Sequence, residues 1–196
     1  KIVTIGLVGK YVELNDSYYS VVEALHHAAW NLGVKLNLKW INARHQFDPK
    51  LLLDTQGVII PGGFGSTGIE NIIKYITLCR TQKIPFLGIC LGFQLAVIEF
   101  AREVIGLKEA NSTEFENMGG LFLIKRITEF LDSEGNPFRI EKDTKYGGTM
   151  RLGNFTTHLK ENTLIRKLYE KSEIEIRHRH RYEVDIKYIE DFKNQG

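Results

Sequence analysis

Several large protein classes are excluded by what this chain lacks. Two cysteines, Cys79 and Cys90, in 196 residues are too few for a disulfide framework and suit a reducing compartment. No apolar run approaches the roughly 20 residues that a membrane-spanning helix needs, and no signal peptide opens the chain. Lys and Arg number 26 against 24 Asp and Glu, a net charge of +2. That leaves no basic excess to hold nucleic acid by bulk electrostatics. Internal repeats, low-complexity tracts and a clear interdomain linker are missing as well. With 43% hydrophobic and 26% charged residues, the composition is that of a soluble globular protein, expected in the cytoplasm without nucleic-acid or membrane partners. Its length fits one domain over 1–196. The chain begins at Lys1 without an initiator methionine and enters a core strand at once, as a segment cut from a longer protein does.

The first half alternates strand and helix signals. Lys1 to Gly9 is apolar, β-branched and glycine-ended, a buried strand. Asp16 is placed to cap a helix running to about Leu32, with Tyr18, Val22, Leu25, Ala29 and Leu32 inward. Val34 to Ile41 alternates apolar and polar, predicting a half-exposed strand toward a sheet edge. Asp48-Pro49 opens a short helix, and Gly57 to Ile60 is a third strand ending in Pro61-Gly62-Gly63-Phe64-Gly65. A helix over 69–81 buries Ile72, Ile73, Ile76 and Cys79, and Cys79 is read as packing. Ile84 to Ile89 reads as a buried fourth strand. This rhythm predicts an α/β fold, a mostly parallel sheet with helices on both faces. Ligands in such sheets bind at the carboxyl ends of the strands. The second half differs: strands over 121–127 and 154–158, a turn over 132–137, a helix over 163–169, a charged extended stretch over 173–184 and a short amphipathic helix over 185–195.

The strand-to-helix junction Gly88-Ile89-Cys90-Leu91-Gly92 is where the chemistry concentrates. The spacing G-x-C-x-G is that of a nucleophile elbow, the cysteine counterpart of G-x-S-x-G. So tight a turn strains the central residue and leaves no room for side chains two positions either side. It lifts the sulfur out of the sheet and sets it at a helix N-terminus, where partial positive charge favours thiolate. The bland alternative is a buried structural cysteine between glycines. The loop Pro61 to Gly65 lacks both the Walker lysine ending and the G-x-G-x-x-G spacing, which argues against a phosphate cradle. It suits an oxyanion hole, with the Leu91 N–H as the other donor. In the stretch 177–181, Arg177, Arg179 and Arg181 point one way if extended, and His178 and His180 the other. A solvated basic face is the ordinary meaning of such a run.

Taken together, PGGFG (61–65), GICLGFQLAVIEFAR (88–102), NSTEF (111–115), GGTMRLG (147–153) and RHRHRYEV (177–184) resemble, in order, the class I glutamine amidotransferase domain of the CTP synthase family. VGKYVELNDSYYSVVEAL (8–25) is similar to that family's domain entry. The resemblance spans essentially the whole chain and implies a flavodoxin-like fold. It implies hydrolysis of L-glutamine to glutamate, with ammonia passing to a separate synthetase domain that converts UTP to CTP. Cys90 matches the nucleophile. Gly63 and Leu91 match oxyanion and glutamine contacts, Gln94 a glutamine contact, Glu114 the partner of the substrate ammonium, and Arg181 the partner of its α-carboxylate. The family implies no cofactor or metal in this domain, ATP and magnesium in the synthetase domain, GTP as an allosteric activator, and a homo-oligomer for the full-length protein.

Two departures stand out. The family's catalytic base is the histidine of a His-Pro-Glu motif beyond RHRHRY, and no His-Pro-Glu occurs in this sequence. The expectation is an incomplete domain that lacks its last strands and hydrolyses glutamine slowly or not at all. The loop after PGGFG reads Gly65-Ser66-Thr67-Gly68, with Thr67 where the family commonly has arginine, which puts the GTP response in question. The competing expectations are a binding or regulatory module that no longer catalyses, and a stand-alone γ-glutamyl hydrolase.

Overall fold

The computed structural model describes residues 1–14, 16–131, 137–139 and 151–195. It divides into two compact units, residues 1–124 with 184–196, and residues 125–183. The predicted turn over 132–137 lies outside the described residues, apart from Pro137.

The first unit is built on strand β1 (Ile2–Gly9), helix α1 (Tyr19–Asn31), strand β2 (Lys35–Asn42), strand β3 (Gly57–Ile60), helix α2 (Ile69–Gln82), strand β4 (Phe86–Gly88) and helix α3 (Leu91–Phe100). The four strands form a parallel sheet in the order β2-β1-β3-β4. Gly57-Val58-Ile59-Ile60 is buried along its whole length because it lies between β1 and β4. Beyond α3 a π-helical turn (Ala101–Ile105) leads to strand β5 (Ala110–Ser112), which pairs in parallel with the start of β6 (Leu121–Arg126). The unit closes with α5 (Ile189–Lys193), reached through a turn whose Asp185 N–H donates to Leu123 O at 2.8 Å.

Some details differ from the sequence reading. Helix α1 starts at Tyr19, and Asp16 caps nothing with its side chain. Tyr18 is pulled out of the helix because its hydroxyl accepts from the Lys10 and Tyr11 N–H groups. At the far end Leu32 is 71% exposed, not inward. Strand β4 is shorter than 84–89 and only partly covered, with Leu87 54% exposed. As the last strand of its sheet it has one neighbour, so its apolar sequence does not bring burial on both sides.

Helices α2 and α3 are joined by an ion pair. The Glu99 side chain is buried, and the Arg80 guanidinium donates to both its oxygens, at 2.8 to 3.1 Å. Removing one partner strands a buried charge. Because Arg80 is itself partly reached by water, Arg80→Ala is expected to cost about 2 kcal/mol, less than a fully buried pair, read as a lower urea midpoint. Cys79 packs in the core at 1% exposure, as its helical spacing predicts, and burial pushes its thiol up to about 11. The unfolded thiol ionises near 9. Its contribution is therefore intact below pH 9 and is lost as pH rises through 11. A pH series of unfolding midpoints should show Cys79→Ala losing less stability than the parent between pH 9 and 11, by up to about 2–3 kcal/mol.

The second unit holds strands β7 (Glu129–Leu131), β8 (Pro137–Arg139), β9 (Arg151–His158), helix α4 (Leu164–Tyr169), β10 (Glu173–His180) and most of β11 (Tyr182–Val184). β9 and β10 form an antiparallel ladder from His158–Glu173 to Arg151–His180. Arg177 and Arg179 are exposed on one face, and His178 and His180 half-buried on the other, as the alternation predicts. Phe155 stacks on His178 and takes the Arg151 guanidinium over its ring at 4.4 Å.

Candidate active site

The junction of β4 and α3 is an elbow in fact. Cys90 sits at φ 53°, ψ −107°, a region that costs a side-chain-bearing residue about 1–3 kcal/mol. The flanking glycines are steric necessities. A Cβ on Gly88 would come within 2.6 Å of the Gly92 backbone, and one on Gly92 within 2.1 Å of Ile60 O. Backbone bonds fix the turn to β3 and to the helix: Ile89 N–H to Ile60 O at 2.9 Å, Gly92 N–H to Ile89 O at 3.0 Å, and Gln94 N–H to Cys90 O at 3.0 Å.

The glycine loop after β3 lies directly against this elbow. A Cβ placed on Gly62 would stand 3.4 Å from Cys90 Cβ and 3.9 Å from its Sγ, and one on Gly63 would stand 3.3 Å from Leu91 Cδ2. Glu114, two residues beyond the end of β5, accepts the Gly65 N–H on Oε1 at 2.9 Å. Its own N–H donates to Ser112 Oγ at 3.1 Å. Five predicted site residues, Gly63, Cys90, Leu91, Gln94 and Glu114, therefore belong to one neighbourhood at the carboxyl ends of β3, β4 and β5. Gln94 is buried one turn into α3. Arg181 belongs to the second unit, just beyond β10, where its carbonyl accepts from the Ile127 N–H at 2.8 Å. The first four residues of GGTMRLG, 147–150, lie outside the described residues; Arg151, Leu152 and Gly153 open β9.

The electrostatics correct one expectation. The helix N-terminus lowers the thiol, but not enough to set the direction. Cys90 is reachable from solvent, yet crowding by surrounding protein atoms pushes its thiol up. The Leu91 N–H pulls it down by less, and the Glu114 carboxylate adds a further push upward. One backbone donor is a smaller effect here than desolvation.

A residue that the motifs do not single out also enters the site. Lys10, the first residue after β1, is almost wholly buried. Its ammonium donates to Phe64 O at 2.9 Å and to Gly65 O. In the sequence it is marked by its place at the carboxyl end of a core strand and by lying within the stretch 8–25, neither of which gives it a role.

The model of the glutamine amidotransferase class-I family matches residues 13–194. The chain belongs to this family. Among individual relatives, it is 43% identical over 194 residues to CTP synthase of Helicobacter pylori, covering 99% of this chain and 36% of that protein. It is 44% identical over 198 residues to CTP synthase of Campylobacter jejuni subsp. doylei, again 99% and 36%. The chain thus spans about a third of the length of the curated relatives it matches. Among solved structures, the Trypanosoma brucei CTPS glutaminase domain with bound acivicin aligns with a TM-score of 0.82 at 32% identity, over 99% of this chain and 72% of that one. The fold of this amidotransferase homologue is the expected one, a class I α/β architecture with a parallel sheet and a nucleophile elbow. Its sequence relationship to the glutaminase part of CTP synthases covers the whole chain.

Proposed function

We propose that the chain is the glutaminase part of a CTP synthase, with Cys90 as its nucleophile. One observation supports this above the others: a strained cysteine at a strand-to-helix elbow with a glycine loop packed against its sulfur. In the reaction the Cys90 thiol loses its proton to a base, and Sγ attacks the side-chain amide carbon of L-glutamine. Backbone N–H groups of Leu91 and Gly63 face the oxyanion that forms. The C–N bond breaks, the base returns the proton to the leaving ammonia, and a glutamyl thioester remains. Water then attacks the thioester carbonyl, the C–S bond breaks, and glutamate leaves.

Glu114 takes the substrate ammonium and Arg181 the α-carboxylate, through charge-assisted hydrogen bonds. A carboxylate offers about four acceptor sites, so holding the Gly65 N–H leaves Glu114 able to do both. The base is the element that this sequence does not supply as His-Pro-Glu. The ammonia is used by the ATP- and magnesium-dependent synthetase part of the full-length protein, with GTP as an allosteric activator whose effect Thr67 blunts. This part itself needs no cofactor, and the complete protein is a homo-oligomer.

The test is labelling with diazo-oxo-norleucine followed by mass mapping. A single adduct at Cys90 is expected. A folded chain that takes no adduct overturns the glutaminase reading and favours a binding module.

A further inference from the structure

The glycine loop beside Cys90 has little of its own to keep it in place. Three of the five residues 61–65 are glycine, Gly65 sits at φ 73°, and Phe64 is 64% exposed, so its ring anchors nothing. A loop of this composition has many backbone conformations of similar energy. An oxyanion donor is worth most when it is fixed before the reaction begins.

One peptide group in the loop is nevertheless held at both ends. The carbonyl of the Phe64–Gly65 peptide accepts from Lys10 Nζ at 2.9 Å and from Tyr11 Oη at 3.3 Å. The N–H of the same peptide donates to Glu114 Oε1 at 2.9 Å. Lys10 Nζ also reaches the next carbonyl, Gly65 O. Because the peptide group is planar, pinning its O and its N–H from opposite sides prevents it from flipping. The lysine is itself held, since its backbone N–H donates to Tyr18 Oη at 3.0 Å and Tyr18 is buried. Its stem lies beside Gly63: a Cβ there would be 3.8 Å from Lys10 Cε.

We infer that Lys10 is a positioning residue, a brace that fixes the Gly62–Gly65 backbone against Cys90 in the orientation the oxyanion requires. The inference rests on the glutaminase reading for its chemical consequence, and on the hydrogen bonds alone for the brace. Burial of a lysine at this point disfavours its charged form, which is lowered to about 8 despite Glu114. A methionine of similar length would occupy the site without that cost, so stability alone does not call for an ammonium here.

The experiment compares the parent chain with Lys10→Met and Lys10→Arg. Amide hydrogen exchange is followed on the peptide covering 61–68, and Cys90 modification is timed with diazo-oxo-norleucine and, separately, with iodoacetamide. Lys10→Met is expected to speed exchange in the loop about tenfold while β1 and α3 are unchanged. It should slow the maximal rate of modification by the glutamine analogue about tenfold, less than the 10²–10³ lost on deleting an oxyanion donor outright. The concentration for half-maximal rate and the iodoacetamide rate should each stay within about twofold. Lys10→Arg, which keeps the donors, should recover part of the rate. Unchanged loop exchange in Lys10→Met overturns the brace whatever the reactivity. Faster exchange with an unchanged maximal rate overturns the positioning role. A parent chain that iodoacetamide modifies at Cys90 and the glutamine analogue does not is a failure of the glutaminase reading, and loop exchange then decides the brace by itself. If Lys10→Met does not fold, Tyr11→Phe, which removes only the weaker donor to Phe64 O, is expected to give the same pattern at smaller amplitude. No change in loop exchange there overturns the brace.

Discussion

Gly92→Ala should destroy the cooperative folding of the first unit, or at least remove more than about 4 kcal/mol, at the extreme end of single-substitution effects. The added Cβ would lie 2.1 Å from Ile60 O, with Ile60 C and Cγ2 at 2.9 Å. The obstacle is the backbone of the central strand, which has no rotamer to change. Nor can Ile60 O move away cheaply, since it accepts the Ile89 N–H that ties the elbow to β3. The methyl group therefore either pushes α3 off the sheet or breaks the bond that shapes the turn. Urea unfolding followed by circular dichroism measures the loss. Gly33→Ala is the control. Unlike Gly92, Gly33 has positive φ, and its Cβ would meet nothing within 4 Å, so a loss of only about 1 kcal/mol is expected, from backbone strain alone. Equal effects at the two positions would show that the clash with Ile60 is relieved cheaply and does not hold Gly92 in place.

Substitution of Cys90, the proposed nucleophile, should separate chemistry from stability. Cys90→Ser is expected to lower modification by a glutamine analogue, and any ammonia release, by at least about 10³-fold. A serine hydroxyl is far harder to ionise than a thiol, and the surroundings that push the thiol up would oppose an alkoxide more strongly still. The fold should hardly notice, because Cys90 is solvent-reachable and no packing depends on its sulfur in the way that it does at Cys79. Cys90→Gly carries the argument further. Glycine accepts φ 53° without penalty, so this variant should be more stable than the parent by about 1 kcal/mol while being chemically inert. A rise in melting temperature together with complete loss of labelling is the expected pair of results. A drop in melting temperature for Cys90→Gly would mean that the strain is not stored at this residue.

How much of this was readable in advance follows from the range of the interactions concerned. The elbow was legible because its spacing is its geometry: glycines two residues either side of Cys90 are required by contacts within the same turn and with the adjoining strand. The run Gly57 to Ile60 was legible for a similar reason, being short, apolar and punctuated at both ends. Local apolarity misled at 84–89, because whether a strand lies inside a sheet or at its edge depends on strand order, which no short window contains. The start of α1 was misplaced since Tyr18 answers to Lys10 and Tyr11 rather than to its helical neighbours. The helix terminus that favours the thiolate is visible in the pattern of residues, whereas the crowding that outweighs it arises only on folding. Lys10 lies in the stretch 8–25, but its role is hidden for the same reason: its partners, Phe64 and Gly65, are more than fifty residues away. Glu114 was marked by the family motif, but its hold on the Gly65 N–H was not.

The elbow's contacts also set an order of decay. Were a lineage of such chains released from any need for the reaction, thermodynamics would favour change at Cys90, where strain is relieved, and would resist it at Gly88 and Gly92, where the backbone blocks every other residue. The nucleophile would be erased early and its frame late. A descendant that had abandoned the chemistry would still carry the two glycines, four positions apart, around an altered centre. The frame would then be the fossil of a reaction no longer performed; in this chain frame and thiol are both present.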